Sequence, residues 1–121
     1  MKQNEEMHRE HISWLQQLDF FQDEIRFFQN RLLQVVLKHI KTVNMEHVAT
    51  FRTRFLDLLR LIDECRHIIV AHEAEIAQAL QTPGTKVHGH SIMSKELNAL
   101  DEKFDTLRKE FNQLLHTHPL R

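Results

Sequence analysis

An all-α fold, an antiparallel bundle of three long helices running up, down and up, is what this chain of 121 residues predicts. Three observations carry the prediction. Apolar residues recur in alternating steps of four and three, the rhythm of a helix with one seam facing its neighbours. Only two glycines and two prolines occur, too little turn material for a sandwich or a doubly wound sheet but enough for a few long helices. Two breaks divide the rhythm into three stretches, and short connections between long helices force antiparallel neighbours.

The first helix is expected over about 6–40. Its seam runs from Met7 and His11 through Trp14, Leu18, Phe21, Ile25, Phe28, Leu32 and Val35 to His39. Such a helix is roughly 50 Å long. The break Lys41-Thr42-Val43-Asn44 follows, with Asn44 placed as an N-cap whose side chain accepts an orphan backbone N–H. The second helix, 45–81, has its seam at Val48, Phe51, Phe55, Leu58, Ile62, Cys65, Ile69, His72, Ile76 and Ala79. Thr82-Pro83-Gly84-Thr85 begins a longer break that ends near His90, since Pro followed by Gly stops a helix. The third helix, 92–116, carries Met93, Leu97, Leu100, Phe104, Leu107, Phe111, Leu114 and His118 on its seam.

Folding the first pair about residues 41 and 42 lets every seam residue meet another. Trp14 then faces Ile69, Phe21 faces Ile62, Phe28 faces Phe55 and His11 faces His72. For the second pair the rhythm sets Leu97 against His72 and Phe104 against Cys65, with a slide of one heptad also permitted. The pattern resembles a spectrin-type repeat, in which a Trp on the first helix anchors a three-helix coiled coil. Trp14-Leu15 and the run from Leu97 to Leu115 carry that likeness. It implies the fold and no function.

Composition bounds the rest. At this length the chain forms one domain, 1–121. Hydrophobic residues at 41% and charged residues at 27% are ordinary for a folded protein, and the formal charge is −1. Without a basic stripe, duplex nucleic acid is not an expected partner. The polar start Met1-Lys2-Gln3-Asn4-Glu5-Glu6 has no apolar region behind it. No signal peptide and no membrane span are therefore expected. Cys65 is the single cysteine, which fits a reducing, cytoplasmic setting. On the seam it reads as a buried small hydrophobe rather than a nucleophile. No glycine-rich loop cradles a phosphate, and no serine sits in a recognisable catalytic motif. Two dozen apolar seam residues at about 1.5–3 kcal/mol each make a cofactor unnecessary for folding.

Several apolar residues lie off the seams, among them Phe20, Phe27, Leu33 and Leu37 on the first helix. An exposed apolar patch marks an interface. These residues predict a homodimer joined through helices one and two. The alternative is that three broadly packed helices cover them.

The four seam positions that are not hydrophobic are all histidine: His11, His39, His72 and His118. The first register gathers His11 and His72 at one end, together with His8, Glu73 and the loop sequence His88-Gly89-His90. Neutral imidazole is the commonest metal ligand. His8, His11, His72, His88 and His90 are thus the candidate metal set, with methionine neighbours suiting copper and Glu73 suiting zinc or iron. The bland alternative is that end-layer imidazoles are wet, amphipathic caps. Ten histidines also allow a pH-responsive role. Glu64-x-x-His67 resembles half of a ferritin-like di-iron site, but it is a single motif on the outward side of Cys65; ion pairing with Arg60 and Arg66 is its default. His39, His47, His116 and His118 cluster loosely at the other end, where His116 and His118, beside Pro119, are expected to be solvated. The functional expectation is a non-catalytic scaffolding or interaction protein, with metal binding and then a di-metal site as alternatives.

Overall fold

A computed structural model describes residues 2–81 and 90–120, and their side chains apart from 2–4, 76, 79–81 and 90–92. It contains three helices, α1 (Lys2–Lys38), α2 (Met45–Gln81) and α3 (His90–Thr117). Among the described residues there is no strand. None of the three helices contains glycine or proline, so nothing in their interiors opposes helical dihedrals. None is long and apolar enough to cross a membrane among the described residues.

α1 stops two residues before the expected position, and the turn that follows is tied by the His39 carbonyl. It accepts the N–H of Thr42 at 3.0 Å and that of Val43 at 2.8 Å. Asn44 then starts α2 as expected. Its Oδ1 accepts the Glu46 N–H at 2.9 Å and the His47 N–H at 3.2 Å, satisfying two of the donors that a helix start leaves without partners. Glu46 in the first turn adds a favourable charge at the positive end of the helix dipole.

Cross-helix contacts fix the direction of each element. His11 meets His72, Asp19 meets Arg66 and Phe28 meets Phe55, so α1 and α2 are antiparallel. Phe21 stacks on Phe104 at 4.2 Å between centroids, Phe28 packs on Phe111 at 4.9 Å, and His39 lies beside His118. α3 therefore runs parallel to α1 and antiparallel to α2. The expected first register holds at Phe28–Phe55 and at His11–His72.

The second register is corrected. The sequence reading places Phe111 level with Leu58, but its ring lies between Phe51 and Phe55, at 5.5 and 6.0 Å. Arg54 correspondingly pairs with Glu110. α3 is displaced by about one helical turn, which brings four phenylalanine rings into one cluster. A seven-residue rhythm matches seam to seam at several such slides, and aromatic contact selects among them.

The seams are the core. Every seam position from Leu18 to Val35, Val48 to His72 and Met93 to Leu114 is buried, while Trp14 is half-buried at the edge. Val43, in the turn, is the buried residue off the seams among those described. It plugs the end of the bundle beneath the α1–α2 connection. Each pair of helices is also tied by an ion pair at its rim: Asp19–Arg66, Arg54–Glu110 and Glu24–Arg108. The last is bidentate, at 2.8 and 2.7 Å, the geometry in which Arg binds a carboxylate best.

Candidate functional site

The tip opposite the α1–α2 turn is built from one face of α1 and one of α2. His8 and His11 stand three residues apart, so they share a face of α1. The antiparallel register brings His72 and Glu73 to the same height on α2. Glu73 joins the two histidines of α1. Its Oε2 lies 3.0 Å from His8 Nδ1, and its Oε1 lies 2.5 Å from His11 Nδ1. His11 Nε2 in turn lies 2.9 Å from His72 Nδ1. A chain of charge and hydrogen bonds thus runs inward from the exposed His8 to His11 and His72, which are only 1% and 5% exposed.

The carboxylate fixes the direction of its two bonds. Ionised Glu73 has no proton to give, so His8 and His11 each donate from Nδ1–H. His11 Nε2 and His72 Nδ1 share the next hydrogen bond inward, one ring donating and the other accepting. Burial pushes the Glu73 carboxyl up. Hydrogen bonds from His8 and His11, with their nearby charge, outweigh that and hold it below its ordinary value. The His11 ring also packs against Trp14, with centroids 5.3 Å apart, so the anchoring Trp and the relay belong to one end layer.

Of the candidate metal set, the structure brings together His8, His11 and His72, with Glu73 between them. His88 lies outside the described residues, as does the side chain of His90. His8 Nδ1, both nitrogens of His11 and His72 Nδ1 are turned toward one another and toward Glu73. Among the described residues, no three His, Cys, Asp or Glu side chains are placed to share a metal ion.

Glu64 and His67 face outward. Glu64 lies 4.0 Å from Arg60, the pairing expected of it, and His67 Nδ1 donates to the Asp63 carbonyl at 2.9 Å. Two carboxylates of α1 at similar height are engaged elsewhere, Asp19 by Arg66 and Glu24 by Arg108. Cys65 is buried on its seam. Burial pushes its thiol up, and the negative charges of Glu96 and Glu64 add to the effect.

The four interface candidates are exposed: Phe20 60%, Phe27 52%, Leu33 56% and Leu37 69%. They do not make one surface. Phe20 and Phe27 flank Glu24, which binds α3 through Arg108, so they ride the α3 side of α1, where the Arg31 guanidinium covers the Phe27 ring at 5.0 Å. Leu33 lies on the other side. It lines a cleft of about 420 Å³ between α1 and α2, with Val36, Met45 and Leu56 on its walls and Leu32, Val48 and Phe55 below. Leu37 stands one turn beyond Leu33.

The other end departs from expectation. His118 is not solvated: both ring nitrogens are inaccessible and make no hydrogen bond among the described residues. Its position on the seam is the sequence signal for this burial, and nearness to Pro119 does not override it. Comparison with protein-family models finds none that matches the chain, and no curated protein or solved structure matches it at a significant level, so the reading of these sites rests on their own geometry.

Proposed function

We propose that this chain is a non-catalytic interaction module that pairs with a second copy of itself across the outer face of α1 and α2. The observation that carries the reading is the apolar rim of the α1–α2 cleft. Leu33, Met45 and Leu56, which line it, are all more than half exposed, as are Leu37 and Ile40 further along the chain. Together they present on the order of 500 Å² of apolar surface, at the upper end of what a monomer shows and most of the ~800 Å² that one partner gives a standard interface. The lone, buried Cys65 fits a reducing compartment such as the cytoplasm. Sedimentation velocity at micromolar concentration tests the pairing. A dimer is expected for the chain as it stands, and a monomer for Leu33→Glu combined with Leu56→Glu, with helical content unchanged. Phe20→Glu with Phe27→Glu leaves the dimer intact. A wild-type monomer at about 100 μM, a concentration at which even a contact of only ~5.5 kcal/mol would half-associate, removes the proposal.

The Glu73–His11–His72 chain supports a second reading, transition-metal binding at the tip. A metal-ligating histidine almost always gives its other N–H to a carboxylate, as His11 does to Glu73. Zinc, copper or iron would need further ligands from beyond the described set, such as His88 and His90. Calorimetric titration of the metal-free protein with each ion decides. Binding weaker than about 10 μM, roughly −6.8 kcal/mol, removes this reading.

A further inference from the structure

At the turn end, residues just past α3 fold back over the α1–α2 connection. His39 Nε2–H donates to the Pro119 carbonyl at 2.7 Å. The rings of His39 and His118 lie 5.2 Å apart, and Leu120 packs against the core. The His39 carbonyl also carries the turn, through Thr42 and Val43. The histidine that follows α1 therefore fastens both the connection and the segment that covers it.

We propose that residues 118–120 form an acid-released clasp over the turn end, shut while His118 is neutral and opened when its ring takes a proton. The two histidines respond differently to that proton. A charged His39 keeps its bond to Pro119, because the donating N–H is already in place, and it sits at the negative end of the α1 dipole. A charged His118 carries two N–H groups in a site where neither nitrogen reaches water or an acceptor among the described residues. A neutral imidazole tolerates such a place at some cost; an imidazolium does not.

The surrounding charges do not rescue it. His39, just past α1, is the ring beside it, and the basic Lys38 and Lys41 stand on either side of that histidine in the chain. α2 contributes Glu46, which is exposed at the helix start, and His47, whose ring rests on Phe51 at 4.9 Å. α3 contributes the exposed His116 and Glu110. His47, Glu110 and His118 line the same cleft of about 540 Å³, but Arg54 already holds Glu110. A proton on His118 thus faces a second imidazole and a carboxylate that is spoken for. The ring is expected to swing into water and to carry Pro119 and Leu120 with it. The tip behaves in the opposite way, since Glu73 supplies a carboxylate between His8 and His11.

Methyl-labelled leucine NMR on the full chain tests the clasp between about pH 7.5 and 5.5, either side of the range in which imidazoles titrate. The Leu120 methyl signals should move to random-coil positions at the lower pH and return on neutralisation. The pH midpoint of that movement should match the protonation of the His118 ring, followed in the same samples by its carbon-bound protons. In His118→Phe, which keeps a ring but cannot charge, Leu120 should stay docked at both pH values. The clasp is overturned if wild-type Leu120 does not move, or if it moves at a midpoint different from that of His118. Release of the same size in His118→Phe overturns it as well. Where the phenylalanine variant does not dock at either pH, the midpoint comparison in the wild type decides alone.

Discussion

Glu73 is shared by two histidines of the neighbouring helix, and the sharing sets how it responds to acid. Its pKa lies below the ordinary 4.5 because His8 and His11 hold the ionised form against the cost of burial. A carboxyl whose pKa falls on folding stabilises the fold fully above its unfolded value. It loses that contribution as the pH drops through the folded value. Glu73→Ala should therefore cost about 2 kcal/mol at pH 7, because it also leaves the buried His11 Nδ1–H without this acceptor. Urea unfolding of both proteins should show the gap narrowing below pH 4.5, where the wild type gives up its advantage. Glu73→Gln, which still presents an oxygen to His11, should recover part of the loss at neutral pH. A gap of constant size down to pH 3, about 1.5 units below the carboxyl's ordinary range, would assign the effect to packing and not to charge.

At the scale of the elements, the start of α2 rests on a single side chain. Asn44 accepts two backbone N–H groups, so Asn44→Ala should cost about 1 kcal/mol. In a domain of this size that lowers the melting temperature by about 4 °C. Asn44→Asp, which can accept the same bonds, should be near wild type. Thermal melts followed by circular dichroism read both. The cap was legible in the sequence because Asn44 stands directly before an apolar rhythm. The α1–α2 register was legible for a related reason: a short turn leaves few ways to lay two seams together, and it sets His11 against His72. The α2–α3 register was not. Its connection is longer, the rhythm repeats, and the preference of Phe111 for Phe51 and Phe55 over Leu58 lives in side-chain shape, which periodicity does not encode. The bridging role of Glu73 was half visible, since its height followed from the register, while its reach to both His8 and His11 depended on side-chain rotamers. The exposure of Phe20 and Phe27 follows from their off-seam positions. The side of α1 on which they lie needed the Glu24–Arg108 pair to decide it.

For the whole molecule, Phe111 is the residue on which all three helices converge. Its ring touches Phe28 of α1 and both Phe51 and Phe55 of α2, at 4.9, 5.5 and 6.0 Å. It is completely buried. Truncating a buried phenylalanine removes its transfer free energy and leaves a cavity that the neighbours fill only in part, a loss of about 3–5 kcal/mol. Phe111→Ala should lie in that range, and the exposed Phe27→Ala within about 0.5 kcal/mol of wild type. The loss should also be felt everywhere at once. Without α3, the α1–α2 hairpin would turn the α3-facing sides of Phe21, Phe28, Phe51 and Phe55 toward water, so it has no reason to persist alone. Urea transitions of Phe111→Ala read by Trp14 fluorescence at the tip and by circular dichroism over all helices should therefore coincide, at a lower midpoint and an unchanged slope. If the variant's fluorescence and helicity separate into two transitions, the hairpin is a unit in its own right, and the three-helix aromatic cluster is not what makes the fold cooperative.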